Sequence, residues 1–251
     1  MDQANTQPST PAPSAWRTTQ AIPALLEGEL HIWRIDIPGS PSLLDRCLSC
    51  LTPDELSRAN RRKLPRARHE FILGRGALRI LLAAATNLQP QAVPLIAGPN
   101  EKPELPNTNL AFNVTHSAGV ILIALRRNGA VGIDLEHINP TMHFAEVAAS
   151  TFTPTENLHL TSIADPTPRR RAFYQLWTRK ESVIKADGRG LTLPLSSFEI
   201  PPSSSQPIAI TIPHPSKTFY VTDLPIEDTF AAAIALDTPA NTTKLLLFPP
   251  Q

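Results

Sequence analysis

Asp134 and Glu136 lie two apart in the run Gly132-Ile-Asp134-Leu-Glu136. On an extended strand that spacing turns both carboxylates to one face, while Ile133 and Leu135 turn to the other. Two carboxylates on one face repel each other, so the pair is either solvated at a strand edge or held by a cation. Hard oxygen donors suit Mg2+, which takes a few carboxylates together with water and substrate phosphate oxygens. Further along, Trp177, Glu181 and Lys185 follow at intervals of four and fall on one stripe of a helix. Their acid and base could form an ordinary surface ion pair, or supply one more metal ligand and a phosphate contact. A third group, Arg58, Arg61, Arg62, Lys63, Arg66, Arg68, Arg75 and Arg79, is opposed within its stretch only by Glu70. Clustered guanidiniums suit phosphate recognition, although Arg58 and Arg61 fit a solvated face equally well.

The elements that carry these groups are marked by caps and turns. Glu29 to Ile37 is rich in β-branched and aromatic residues and ends at Pro38-Gly39, the pattern of a strand and a turn. Thr52-Pro-Asp-Glu55 and Thr153-Pro-Thr-Glu156 each open a helix with a hydroxyl cap, proline at the first position and an acid in the first turn. A longer helical stretch follows each, centred on Arg68 to Leu82 and on Arg169 to Lys185, which predicts two copies of one unit about 100 residues apart. Leu110 to Val114, Val120 to Leu125 and Val131 to Leu135 are short apolar runs that predict an antiparallel meander, with Asn128-Gly129 as its clearest hairpin turn. The prolines between Pro194 and Pro215 predict loops. The last strands are expected at Thr218 to Thr222, Phe230 to Leu236 and Lys244 to Phe248.

Composition excludes several classes. Lys and Arg total 23 against 22 for Asp and Glu, so no global field draws the chain to nucleic acid or to a membrane. No run of about 18 apolar residues exists, and the polar start lacks a signal peptide's apolar core, which points to the cytoplasm. Cys47 and Cys50 form one CxxC with no second pair, too few ligands for structural zinc. Residues 1 to 18 hold too little apolar surface to offset the entropy of ordering and are expected to be a disordered tail.

Taken together, Gly132-Ile-Asp134-Leu-Glu136 and, beginning 41 residues after Glu136, Trp177-Thr-Arg-Lys180-Glu181-Ser-Val-Ile-Lys185 resemble the paired signatures of the phosphopantetheinyl transferase superfamily. Asn113-Val-Thr115-His116-Ser117 and Lys102-Pro103 resemble further motifs of its Sfp-type members, and the resemblance runs from about Leu51 to Leu191. It implies an α+β fold of two similar subdomains related by pseudo-twofold symmetry, each a small antiparallel sheet packed with helices, over 19–127 and 128–251. The implied activity is transfer of 4'-phosphopantetheine from coenzyme A to a serine of an apo acyl or peptidyl carrier protein, with release of 3',5'-ADP and dependence on Mg2+ (or Mn2+).

Carried over residue by residue, the pattern makes Asp134, Glu136 and Glu181 the metal ligands, with Glu181 also the candidate general base. Lys185 matches a lysine on the coenzyme A phosphate, Thr115 and His116 match a pair reaching the nucleotide phosphates, and Lys102-Pro103 lies where the family holds the adenine. Arg66, Arg68 and Arg75 are the candidates for the 3'-phosphate, because Glu70 stands where an arginine is often found. Arg58, Arg61, Arg169 and Arg170 are the candidates for a carrier-facing rim, and a monomer is expected, with the site in the cleft between the halves. The competing reading from the residues is a metal-dependent nuclease or phosphodiesterase, whose sites use the same acids and lysine. A third is a non-catalytic carrier-binding protein on the same fold.

Overall fold

The computed structural model describes residues 15–37, 39–98, 103–202 and 206–249. Strand β1 (Glu29–Asp36) is followed by helices α1 (Pro41–Ser49), α2 (Pro53–Asn60) and α3 (Pro65–Thr86), short strands β2 (Ile96–Ala97) and β3 (Pro103–Glu104), and the hairpin of β4 (Leu110–Ser117) and β5 (Val120–Arg127). The order then repeats. Strand β6 (Val131–His137) leads to α4 (Phe144–Thr151), α5 (Pro154–Ser162) and α6 (Pro166–Asp187), then to β7 (Ile208–Ile212), β8 (Lys217–Asp223), β9 (Phe230–Leu236) and finally β10 (Thr242–Leu247).

Eight of the ten described strands form two four-stranded sheets, ordered β10-β1-β5-β4 and β6-β9-β8-β7, and β2 pairs with β3 alone. In the repeat β6 takes the place of β1, β9 that of β5 and β8 that of β4, giving an α+β fold of two similar units. Alternation along the strands divides the core into layers. Trp33 and Ile35 of β1 pack under α1 and α3, whereas Leu30 and Ile32 face Ile133, Leu135, Ala232 and Ile234 of the other sheet. A third cluster lies between α4 to α6 and the outer face of the second sheet.

The repeat extends to buried charge. In α2 and α5 the threonine cap and the glutamate three residues on close a capping box. Each glutamate then meets a cation on the 22-residue helix that follows, Glu55 with Arg79 Nε at 2.6 Å and Glu156 with Lys180 Nζ at 2.8 Å. Arg79 also donates to the carbonyls of Pro90 and Val93. Lys180, fully buried, donates to those of Leu195 and Phe198 at 2.8 and 2.6 Å, so its three protons have three acceptors. Burial pulls the Lys180 pKa down and Glu156 opposes the shift. Each long helix thereby grips the segment that leaves it.

Three expectations change. The Asn128–Gly129 turn does not close a hairpin: both residues have positive φ, at 54° and 83°, but β6 pairs with β9 rather than with β5. Both edges of β5 are already taken, by β1 and β4, so no edge is left for β6. The proline-rich stretch holds a strand, β7, whose Ile208, Ile210 and Ile212 point inward between its flanking prolines. Of the expected tail, residues 1–14 lie outside the described residues, but Trp16 is buried, donates to Pro225 O at 2.8 Å, and is followed by Arg17, which bridges to Leu246. One indole supplies enough apolar area to order so short a segment. Strand β10, sequentially in the second half, pairs parallel with β1 of the first.

Replacing Lys180 by Met would leave the Glu156 carboxylate buried without its counter-ion. A loss of about 3–5 kcal/mol is expected, measured as a lowered urea midpoint with the slope unchanged.

Candidate active site

Gly132 of β6 sets the site's dimensions. A Cβ there would lie 2.1 Å from Ser182 O and 2.3 Å from Ala186 N, so the backbone of α6 rests directly on the strand. This contact brings Glu181 and Lys185 beside Asp134 and Glu136, the face opposite Ile133 and Leu135. Asp134 is 4% exposed. Its Oδ1 accepts from Lys185 Nζ at 2.6 Å and from Thr115 Oγ1 at 3.3 Å, while the ammonium also donates to Ile133 O.

Edge strand β4 closes the site without a backbone ladder to β6, using alternate side chains. Asn113 Oδ1 accepts from Ile133 N at 3.1 Å, Thr115 reaches Asp134, and Ser117 Oγ donates to Glu136 Oε2 at 3.2 Å. Burial, and after it the charge of Asp134, raises the pKa of Glu136 and of Glu181 alike. Asp134 is therefore near enough to both glutamates to disfavour their ionisation.

This donor set fits a hard divalent cation. Asp134 Oδ2 is buried with no hydrogen-bond partner, and three carboxylates face one ammonium. Among the described residues no three His, Cys, Asp or Glu side chains are gathered closely enough to hold a metal as they stand. In this arrangement the cation against Asp134 is Lys185.

The other face of β4 borders a cavity of about 380 Å³, lined by Arg62, Glu70, Phe71, Arg75, Pro103 and His116 among others. Alternation thus separates neighbours in sequence: Thr115 joins the acids, whereas His116 faces the cavity and pairs through Nδ1 with Glu70 Oε1 at 2.8 Å. The Arg62 guanidinium stacks 4.0 Å above the Phe71 ring. Arg75 lies deep in the wall, 3.6 Å from Glu55. Arg66 and Arg68 are exposed and do not line the cavity, and Lys102 lies outside the described residues. Arg169 and Arg170 donate to backbone carbonyls, those of Ile163 and Ala164 and of Asn139 and Met142, which ties them to neighbouring loops.

Sequence reasoning gave no site role to Phe71, nor to Arg62, Asn113 and Ser117 beyond their places in the basic cluster and the quoted motif. The signal for the last two was present, since both stand two residues from Thr115 on a strand and share its face.

A family model described as the 4'-phosphopantetheinyl transferase superfamily matches residues 130–235, the stretch holding both acids of β6 and all of α6. The 4'-phosphopantetheinyl transferase HetI of Nostoc sp. is 32% identical over 216 residues, covering 84% of this chain and 89% of HetI. The chain belongs to this superfamily. The 4'-phosphopantetheinyl transferase Sfp of Bacillus subtilis is 27% identical over 201 residues, covering 80% of this chain and 88% of Sfp. As a member, the chain is a 4'-phosphopantetheinyl transferase, which decides against the nuclease alternative. No helix among the described residues is long and apolar enough to cross a membrane.

A methyl group at Gly132 has nowhere to go but into α6. Gly132→Ala is expected to cost about 3 kcal/mol and to reduce transfer far more than an alanine substitution on the exposed face of α6; thermal melting and initial rates on the same preparations check this.

Proposed function

We propose that this chain transfers 4'-phosphopantetheine from coenzyme A to a serine hydroxyl of an apo acyl or peptidyl carrier protein, in a Mg2+-dependent reaction that releases 3',5'-ADP. The observation that carries this reading is the meeting of three acids and Lys185 on one side of β4, with a cation-lined cavity on the other. Asp134, Glu136 and Glu181 would hold the metal, which when bound neutralises charge on the pyrophosphate. The serine oxygen attacks the β-phosphorus, its proton passes to Glu181, and the bond to the α-phosphate oxygen breaks. Lys185 offsets the charge that develops on the departing 3',5'-ADP.

Nucleotide recognition falls to the cavity. Arg62 and Arg75, with the His116 imidazole beside them, supply more phosphate contacts than a pyrophosphate shared with a metal requires, which suits the additional 3'-phosphate. Pro103 lines the same cavity, in keeping with an adenine contact. Arg66 and Arg68 could reach a phosphate only from its solvent side. Both halves contribute to one site, as expected of a monomer, and the reading places the enzyme in the cytoplasm.

Incubation with coenzyme A, Mg2+ and an apo carrier protein should add the mass of one phosphopantetheine to the carrier, read by intact-protein mass spectrometry; an unmodified carrier would overturn the proposal. Asp134→Ala, Glu136→Ala and Glu181→Ala are each expected to lower the rate by about a thousandfold or more in a folded protein, with Lys185→Ala less severe. Dephospho-coenzyme A should bind more weakly than coenzyme A by calorimetry, and His116→Ala should narrow that difference.

A further inference from the structure

Ser117 is the last residue of β4, where Ala118 and Gly119 turn the chain with φ of 47° and 95°, both positive as in a type I′ hairpin turn. The turn is pinned from outside, because Ile37 N donates to Gly119 O at 2.7 Å. The serine backbone therefore has little freedom. Its hydroxyl has two partners on the neighbouring strand: Oγ accepts from His137 N at 3.0 Å and lies 3.2 Å from Glu136 Oε2. A hydroxyl carries one proton. With a backbone N–H already directed at the oxygen, that proton is left for the carboxylate.

We propose that Ser117 is a positioning residue for transfer: it fixes the rotamer of Glu136 so that this carboxylate faces the same point as Asp134 and Glu181. The inference rests on the reading of Glu136 as a metal ligand. It adds that the ligand is oriented from the other half of the molecule, by a group that touches neither metal nor substrate. Glu136 stands near the end of β6, opposite Ala231 of β9, whose methyl group offers no hydrogen bond. Orientation from β4 supplies what the strand's own sheet does not. Partners of this kind, hydrogen-bonded to a ligating carboxylate, typically carry 10- to 100-fold in metal affinity or activity.

The test is Mn2+ binding followed by electron paramagnetic resonance, with coenzyme A present, alongside steady-state kinetics across a Mg2+ series. Ser117→Ala is expected to bind Mn2+ about 10-fold or more weakly, to require correspondingly more Mg2+ for half-maximal rate, and to keep its KM for coenzyme A at saturating Mg2+. Ser117→Thr, which retains the hydroxyl, should restore both values. If the alanine variant does not fold, Ser117→Cys keeps the volume with a much weaker donor and is expected to show the same loss. Should Ser117→Ala, or Ser117→Cys in its place, bind Mn2+ as tightly as wild type while Glu136→Gln does not, the positioning role is overturned and the ligand assignment stands. A wild-type protein that takes up no Mn2+, or a Glu136→Gln variant that takes it up normally, overturns the ligand reading and this inference with it.

Discussion

The contact between α6 and β6 at Gly132 is the constraint on which the site depends. A helix normally rests on a sheet through side chains, and that separation would hold Lys185 and Glu181 away from the strand. Here the strand residue has no side chain, and the helix backbone lies where a Cβ would be. The result is an ammonium 2.6 Å from a nearly buried aspartate. Glycine is used for its absent volume rather than for backbone freedom.

What keeps α6 in that position is the buried pair of Glu156 and Lys180, one residue before Glu181. Isolated buried ion pairs seldom add net stability, because desolvation offsets much of the attraction. This ammonium, however, also satisfies two carbonyls of the segment after the helix, and Glu156 Oε1 accepts from Ile200 N. The pair therefore fixes which loop lies against which helix. The first half uses the same device with a guanidinium, Arg79, in place of the ammonium. A repeated clamp at matching positions extends the likeness of the two halves from their topology to their buried charge.

The second half carries the three acids, while the first contributes β4. That strand is a shared wall. Asn113, Thr115 and Ser117 engage β6, and Val114 and His116 border the cavity. On the proposed reading, chemistry and nucleotide recognition are divided between the two faces of one strand, so that neighbours in sequence would serve different steps.

The sequence by itself determined whatever follows from local geometry. Period-two alternation put Asp134 and Glu136 on one face, the 3.6-residue period aligned Glu181 with Lys185, and the two Thr-Pro caps marked the first residues of α2 and α5. Each of these depends on bonds within a few residues, where backbone geometry leaves few choices. Tertiary structure decided the partners. Asn128–Gly129 has the conformation of a hairpin turn, yet the next strand went to β9 because β1 and β4 had already filled both edges of β5. Trp16 and β7 were ordered by apolar surfaces formed far along the chain, and Ser117 met Glu136 only because two edge strands from different sheets came together. Strand edges and apolar faces are contested by distant segments, and which segment wins is set by the packed whole rather than by its local sequence.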